Sequence, residues 1–311
     1  MNWQTALVLL AILVIIAVWP FVREAMRAPM NTSARGDAPG AFVELSQGIT
    51  HYRWIGPTRG PIAVCIHGLT TPSMVWDAIA QGLARMGFRV LVYDLYGRGY
   101  SDRAPGLQDQ DFFVRQLDDL LASQGVRDDI TLLGYSMGGA IATVFTARNP
   151  GRVRRMILLA PAGMGHDLGR LAAFTRDTPV LGDWLMLLRY PRAHMQATEA
   201  ERSLHSEVEG IVDYQQSELG KRGFVPAVLS SLRGILPRPL EEAHRAIGRA
   251  DIPVLAIWGH DDTIIPLRAM GQLAQWNLTA RHEVIEGAGH GLTYTHASAV
   301  LEALQTDVAA D

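Results

Sequence analysis

Gly134-Tyr135-Ser136-Met137-Gly138-Gly139 lies between a short apolar run, 129–133, and a helical pattern that extends to Arg148. Glycines two residues before and two residues after the serine fit a very sharp turn from a strand into a helix. Such a turn holds the serine in strained backbone geometry and projects its hydroxyl next to a helix N-terminus, which favours negative charge. The stretch predicts that Ser136 is a nucleophile, and a serine hydroxyl needs a base to take its proton.

Two later loops present the groups that would activate this serine. The strand-like run 252–258 leads into Gly259-His260-Asp261-Asp262, and the run 283–286 leads into Gly287-Ala288-Gly289-His290-Gly291. Each loop contains glycine and offers a carboxylate or an imidazole. The chain order Ser, Asp, His differs from the order in trypsin-like and subtilisin-like proteases.

Five ordered elements resemble the α/β-hydrolase superfamily, in its esterase, monoacylglycerol-lipase-like and meta-cleavage-product hydrolase branch. They are His67-Gly68-Leu69, the run Asp94–Ser101, the serine turn, Gly259-x-x-Asp262 and Gly289-His290. The resemblance spans residues 42–306. It implies an α/β fold with a mostly parallel central sheet, helices on both faces and a helical cap inserted after the sixth core strand.

The resemblance also implies a role for each matching residue. Ser136 is expected to be the nucleophile, His290 the general base and later acid, and Asp262 the group that orients the imidazole. Asp261 is the rival acid, but the family places its carboxylate three residues after the glycine, which favours Asp262. Surface positions are expected for His282 and His296, because neither follows a glycine in such a loop.

A tetrahedral intermediate requires two N–H donors for its oxyanion. The resemblance assigns them to the backbone of Met137, the residue after the nucleophile, and of Leu69, at the end of the strand-like run 62–66. His67 stands beside this loop and could be read as a base. We interpret it instead as a residue that anchors the loop.

Composition excludes several function classes. With 28 basic and 31 acidic residues among 311, the net charge is −3, which argues against a nucleic-acid partner. Lys221 is the only lysine and lies far from any phosphate loop, so Schiff-base and P-loop chemistry are excluded. Cys65 falls in a predicted strand and is expected to be buried and inert. We expect neither a metal nor a cofactor, since His260-Asp261-Asp262 is better explained by the loop that bears the acid.

The N-terminal segment predicts a membrane anchor at residues 1–24, followed by a linker at 25–40. No charged side chain precedes Arg23, and about 20 apolar helical residues span a bilayer. A cleaved signal peptide is the alternative, but basic residues before the apolar run and small residues after it are missing. Arg23, Arg27 and Arg35 follow the segment, so the positive-inside rule predicts a single-pass protein with a cytoplasmic catalytic domain.

Strand-like and helical patterns alternate over 41–160 and 251–311, which predicts the α/β core. The interval 161–250 lacks strand patterns and contains helical ones, so it is the predicted cap. Apolar cap residues, among them Trp184, Leu185 and Leu188, are expected to line an acyl pocket, or alternatively to pack the cap onto the core.

The leading functional prediction is hydrolysis of lipid-like or medium-chain carboxylic esters through an acyl-Ser136 intermediate. The small-molecule substrate would then reach a site held near the bilayer by the anchor. The first alternative is C–C bond hydrolysis of ring-cleavage products, whose hydrolases usually have Asn where Tyr135 stands. The second is a binding module without turnover, a role usually accompanied by loss of a triad residue. The sequence leaves the oligomeric state open.

Overall fold

A computed structural model describes residues 2–165 and 169–309. Met1, 166–168 and 310–311, which belong to the predicted anchor, cap and core, lie outside the described residues. The described chain forms an eight-stranded sheet in the order β1-β2-β4-β3-β5-β6-β7-β8. The strands are β1 (Ala41–Leu45), β2 (Gly48–Ile55), β3 (Ile62–Ile66), β4 (Arg89–Tyr93), β5 (Ile130–Tyr135), β6 (Val153–Leu159), β7 (Val254–Gly259) and β8 (Arg281–Ile285).

The sheet is mostly parallel, as predicted. Only β2 runs antiparallel to its neighbours β1 and β4; the remaining pairs are parallel. Strands β5 and β7 are buried along their whole length, since helices cover both faces, and they read as continuous apolar runs. The carboxyl ends of β3, β5 and β7 therefore meet at one edge of the sheet, where ligands bind in such folds.

Helices form a layer on each face of the sheet. One apolar layer includes α2 and α12, and the other includes α3, α4, α9 and α10. The helices are α1 (Trp3–Ala25), α2 (Asp77–Arg85), α3 (Gln110–Ser123), α4 (Met137–Arg148), α5 (Gly169–Asp177), α6 (Leu181–Glu201), α7 (Ile211–Ser217), α8 (Phe224–Arg233), α9 (Glu241–Arg249), α10 (Arg268–Trp276), α11 (Leu292–Thr295) and α12 (Ala297–Ala309).

A helical cap follows the sixth strand, in agreement with what the resemblance implies. It consists of α5 to α8, in which α6 packs against α5, α7 and α8. Helix α9 packs instead against α4 and α10 of the core layer and buries His244 and Ile247 there. The cap is therefore shorter than the predicted interval 161–250, because the amphipathic face of α9 belongs to the core.

Helix α1 is long and apolar enough to cross a membrane by length and composition. It does not stand apart from the rest of the protein, because its second half packs along α6 of the cap. Pro20 lacks an N–H and so leaves the carbonyl of Ile16 without its usual helical donor. The indole N–H of Trp184 donates to that carbonyl at 3.2 Å.

The end of α1 and the segment after it are tied to the domain. The carboxylate of Glu24 accepts a hydrogen bond from the N–H of Gly223 at 2.6 Å, and Ala28 forms a β-bridge with Lys221. Farther on, the guanidinium of Arg35 donates to the carbonyl of Tyr100 at 3.0 Å. The predicted linker 25–40 is thus a contacted strap in the structure and not a free tether.

Candidate active site

The turn at Ser136 joins β5 directly to α4. Its backbone has φ 53° and ψ −117°, a conformation that costs a non-glycine residue about 1–3 kcal/mol. A Cβ on Gly134 would lie 2.4 Å from the carbonyl oxygen of Gly138, and one on Gly138 would lie 2.1 Å from that of Ile66. Both glycines are therefore required by space. Hydrogen bonds hold the turn, including the N–H of Ser136 donating to Leu159 at 2.9 Å.

The two later loops bring an imidazole and a carboxylate to this hydroxyl. His290 Nε2 lies 3.0 Å from Ser136 Oγ, and His290 Nδ1 lies 2.8 Å from Asp262 Oδ2. The other carboxylate oxygen of Asp262 accepts from the N–H groups of Ile264 and Ile265, both at 2.8 Å. Asp262 is buried, and these bonds fix its orientation. The arrangement allows Nδ1–H to donate to the carboxylate while Nε2 accepts the serine proton.

The rival groups lie elsewhere. The side chain of Asp261 is 61% exposed and pairs with His260 instead of His290. His282 accepts a hydrogen bond from the indole of Trp258, and His296 pairs with Thr295. Geometry thus brings together Ser136, His290 and Asp262, and leaves out the other three candidates.

His67 is fully buried and has a structural role in the loop that contains Leu69. Burial lowers the pKa of its imidazole to about 4, so the ring is neutral. Its Nδ1–H donates to the carbonyl of Gly68, and its Nε2 accepts from the N–H of Leu95, both at 2.8 Å. Since both ring nitrogens are engaged in this way, His67 anchors the loop and is not placed to act as a base.

The predicted oxyanion donors border the nucleophile. Met137 is the first residue of α4, so its N–H has no acceptor one turn earlier in the helix. Leu69 lines the same cavity as Ser136, and a Cβ on Gly68 would lie 3.2 Å from the Cβ of Ser136. The loop backbone therefore approaches the nucleophile closely.

Known proteins share the fold and the motifs that form this site. The sequence profile of the alpha/beta hydrolase fold family matches residues 61–297. The chain belongs to the α/β-hydrolase family. Among its relatives is a 2-hydroxymuconate semialdehyde hydrolase from Pseudomonas putida, 30% identical over 67% of this chain and 73% of that protein.

Solved structures agree with the fold of this α/β-hydrolase. An esterase from Exiguobacterium antarcticum superposes with a TM-score of 0.71 at 20% identity. The alignment covers 86% of this chain and 99% of the esterase. A membrane phospholipase A described as a bacterial virulence factor gives a TM-score of 0.70 at 20% identity. That alignment covers 99% of this chain and 97% of the other.

Two residues that position the α/β-hydrolase site were not assigned a role from sequence. The hydroxyl of Tyr135 donates to the backbone carbonyl of His290 at 2.9 Å, and the two rings lie 5.3 Å apart. Buried Arg98 donates to the carbonyl of Leu69 at 2.9 Å and to the hydroxyl of Ser231 in α8 at 2.8 Å. Arg98 thus connects the loop of Leu69 to the cap. The sequence signal that could have identified them is their position in two of the family motifs, since Tyr135 lies in the serine turn and Arg98 lies in the run Asp94–Ser101.

A cavity of about 390 Å³ opens above Ser136 between the core and the cap of the α/β-hydrolase. We define its apolar wall as Leu69, Met137, Ala162, Leu232, Leu236, Ile264 and Ile265. We define its polar wall as Thr71, His194, Thr198, Glu201, Gln215 and Tyr294. Among the described lining residues there is no lysine or arginine, burial lowers the pKa of His194, and Glu201 is the one carboxylic side chain.

The predicted pocket residues of the cap do not line this cavity. Trp184 faces α1 through its bond to Ile16, and Leu185 and Leu188 also lie outside the lining. The second half of α6 reaches the cavity instead, with His194, Ala197, Thr198 and Glu201. The prediction was wrong because α6 runs for 21 residues and its apolar first half contacts α1 and α8.

The described part of the chain contains no group of side chains suited to hold a metal ion. Within residues 2–165 and 169–309, no three His, Cys, Asp or Glu side chains are grouped to hold an ion. Asp262, whose carboxylate faces His290, already has both oxygens engaged in hydrogen bonds.

Proposed function

We propose that the protein is a serine esterase that hydrolyses uncharged or amphiphilic carboxylic esters through an acyl-Ser136 intermediate. The bridging position of His290, between the serine hydroxyl and a buried carboxylate, is the observation that carries this proposal. Membership of the α/β-hydrolase family supports a hydrolase activity. Esterases, a lactonase and a phospholipase among the structural neighbours agree with ester substrates.

In this mechanism Ser136 Oγ attacks the ester carbonyl carbon as His290 Nε2 takes its proton. The N–H groups of Leu69 and Met137 stabilise the oxyanion, and Asp262 stabilises the imidazolium. Collapse of the tetrahedral intermediate breaks the bond to the alcohol oxygen, which leaves with the proton from His290. A water then attacks the acyl-serine by the same route, with His290 as base, and releases the carboxylic acid and free Ser136.

The charge of the cavity supports ester hydrolysis over C–C bond hydrolysis. The relative from Pseudomonas putida is named for a muconate semialdehyde, which is a carboxylate at neutral pH. A carboxylate needs a cationic partner when it leaves water. The described lining supplies none, and Glu201 opposes a second negative charge. Faster turnover of 2-hydroxymuconate semialdehyde than of any simple ester would favour C–C bond hydrolysis over ester hydrolysis.

We expect the enzyme to discriminate against a charged acyl group. p-Nitrophenyl butyrate should be hydrolysed with kcat/KM about 10- to 100-fold higher than p-nitrophenyl hemisuccinate, because the latter brings a carboxylate against the apolar wall. Steady-state kinetics on the two esters, which share a leaving group, provide the measurement. Equal values would contradict the assignment of an uncharged substrate.

We further propose that α1 is an uncleaved anchor with the catalytic domain on the cytoplasmic side. The helix has the length and apolarity of a membrane span, and three arginines follow it. Alignment with the membrane phospholipase over 99% of this chain agrees with an anchor that belongs to the protein. Docking of α1 on the cap would hold the cavity at a constant distance from the bilayer.

Two truncations separate the anchor from the strap. Removing residues 1–18 should release active enzyme into the soluble fraction, since Glu24 and its bond to Gly223 remain. Removing residues 1–27 should also lower Tm by about 5 °C or more, because that charge-assisted bond and the packing on α6 are lost. Fractionation, ester assays and thermal melts measure these effects. Two outcomes would contradict the anchor. One is truncated protein that still pellets with membranes, and the other is cleavage of the expressed full-length chain to a mature form that lacks residues 1–19.

A further inference from the structure

The cap touches α1 at a level that lies within the proposed membrane span. The indole N–H of Trp184, near the start of α6, donates to the carbonyl of Ile16 at 3.2 Å. Ile16 stands two turns before Arg23, the first charged side chain of the sequence, which places it about 10 Å farther into the membrane. Half of a bilayer's hydrocarbon core is about 15 Å thick. When Arg23 lies at the bilayer boundary, Ile16 is therefore in the hydrocarbon, and the indole of Trp184 lies beside it.

Helix α6 begins on the membrane side of this contact and runs toward the aqueous side. Its Leu187 borders a small cavity together with Phe21 and Glu24 of α1. Between Trp184 and Leu187, the contact on α1 therefore moves from Ile16 toward the C-terminal end of that helix. The residues that precede Trp184 consequently lie at the depth of Ile16 or deeper.

A group of exposed apolar side chains occupies this membrane side of the cap. We define the α5–α6 corner as residues 174–181, which join the last turn of α5 to the start of α6. Within it, Phe174, Val180 and Leu181 are 45%, 75% and 49% exposed. An isolated exposed apolar side chain such as Leu278 is ordinary on a protein surface, whereas a group of them indicates an interaction site. The corner is therefore a candidate interaction surface that adjoins the proposed span.

The tip of the corner is held in a strained turn. Val180 has φ 64° and ψ −61°, and the N–H of Leu181 donates to the carbonyl of Pro179 at 2.7 Å, which is the geometry of a rare γ-turn. A β-branched residue with positive φ is a backbone outlier, whereas glycine adopts such a conformation without steric cost. Strain of this kind persists mainly where it serves a function. Here it presents the side chain of Val180 outward, at the most exposed of the three apolar positions.

Polar groups around the corner are satisfied within the protein. The carboxylate of Asp183 accepts from the N–H of Val180 at 2.8 Å and pairs with Arg233 at 2.8 Å. Arg176 pairs with Asp177 at 2.6 Å, and the carbonyl of Arg176 accepts from Arg233 at 2.8 Å. Transfer of charged and backbone groups into an apolar environment is strongly unfavourable unless they are paired. The corner therefore meets a condition for contact with lipid.

We propose that the α5–α6 corner is a second membrane contact, which inserts into the leaflet beside the C-terminal half of α1. This inference rests on the anchor proposed above, and the partner of the corner is the hydrocarbon of that leaflet. The three half-exposed side chains bury less apolar surface than a myristoyl chain, which by itself binds membranes only marginally. The corner therefore orients the domain while α1 retains it on the membrane, so removal of residues 1–18 is still expected to release the enzyme.

Fluorescence quenching tests the insertion on the full-length protein in vesicles of phosphatidylcholine and phosphatidylglycerol. Cys65 is the only cysteine and is fully buried, and burial raises the pKa of its thiol, so a cysteine introduced at the corner reacts selectively. Val180→Cys and Leu181→Cys, each labelled with the fluorophore NBD, should be quenched severalfold more by doxyl-labelled lipids than Leu204→Cys labelled in the same way. Leu204 is the matched control, because it is 56% exposed and follows the other end of α6. Thermal melts check that each labelled protein is folded.

A label in α1 separates this inference from the anchor. Ile12→Cys should be quenched by doxyl lipids when α1 spans the bilayer, because Ile12 lies one turn deeper than Ile16. Quenching at Ile12 with none at Val180 or Leu181 would overturn the insertion and leave the anchor standing. Absence of quenching at all three labels would refute the anchor itself. A Val180 label that is shielded from aqueous iodide but not quenched by doxyl lipids would also overturn the membrane contact, since a second protein chain would then cover the corner.

Discussion

Ser136→Ala is expected to lower kcat for p-nitrophenyl butyrate by on the order of 10⁶-fold. The hydroxyl is the only group of the site that forms the acyl intermediate in the proposed mechanism, and His290 Nε2 lies 3.0 Å from it. Alanine removes the nucleophile but leaves the oxyanion donors and the cavity in place, so residual catalysis above water is expected. Steady-state assays with active-site titration measure the loss.

Folding of the variant needs to be checked separately. Ser136 has strained backbone geometry, and alanine adopts φ 53° no more easily than serine does, so the thermal midpoint should stay close to that of the wild type. A fluorophosphonate probe should label the wild-type protein at Ser136 and should not label the variant. Full ester turnover by a folded Ser136→Ala protein would refute the acyl-serine mechanism.

The three side chains that the sequence names as a triad were recognisable from local pattern, because each is held by its own short turn. Gly134 and Gly138 are demanded by space around Ser136, and glycine precedes His290 in its loop. The spacing of Asp262 after Gly259 likewise reflects one loop at the end of one strand. Buried parallel strands such as β5 read as unbroken apolar runs, so the central sheet was also predictable.

The parts that sequence reasoning missed depend on contacts between distant segments. Strand β1 is a half-exposed edge strand, and its pattern is weak. Nothing in the local pattern of α6 indicates that Trp184 faces α1 while Glu201 reaches the cavity, because the partners lie 168 and 93 residues away along the chain. Gln215 likewise reads as a surface residue until the fold buries it. Pocket chemistry therefore required the tertiary structure.

Asp262→Asn is expected to lower kcat on the order of 10⁴-fold without loss of the fold. The two N–H groups of Ile264 and Ile265 point at one oxygen of this side chain, so an asparagine must place its carbonyl oxygen there. Its NH₂ group then faces His290 Nδ1 and donates to it. The imidazole is forced to carry its proton on Nε2, the atom that must accept the proton of Ser136, so the base is lost.

Asp261→Asn is the matched control, since it changes the neighbouring carboxylate in the same way. Its side chain is exposed and contacts His260, so turnover should remain near that of the wild type. Steady-state kinetics on both variants, with thermal melts, check the pair. The loss in Asp262→Asn comes from the proton forced onto His290 Nε2 and not only from the missing charge. Asp262→Ala should therefore lower kcat less than Asp262→Asn, because solvent in place of the carboxylate lets the ring adopt either tautomer. A severe loss in Asp261→Asn with normal turnover in Asp262→Asn would move the acid to Asp261.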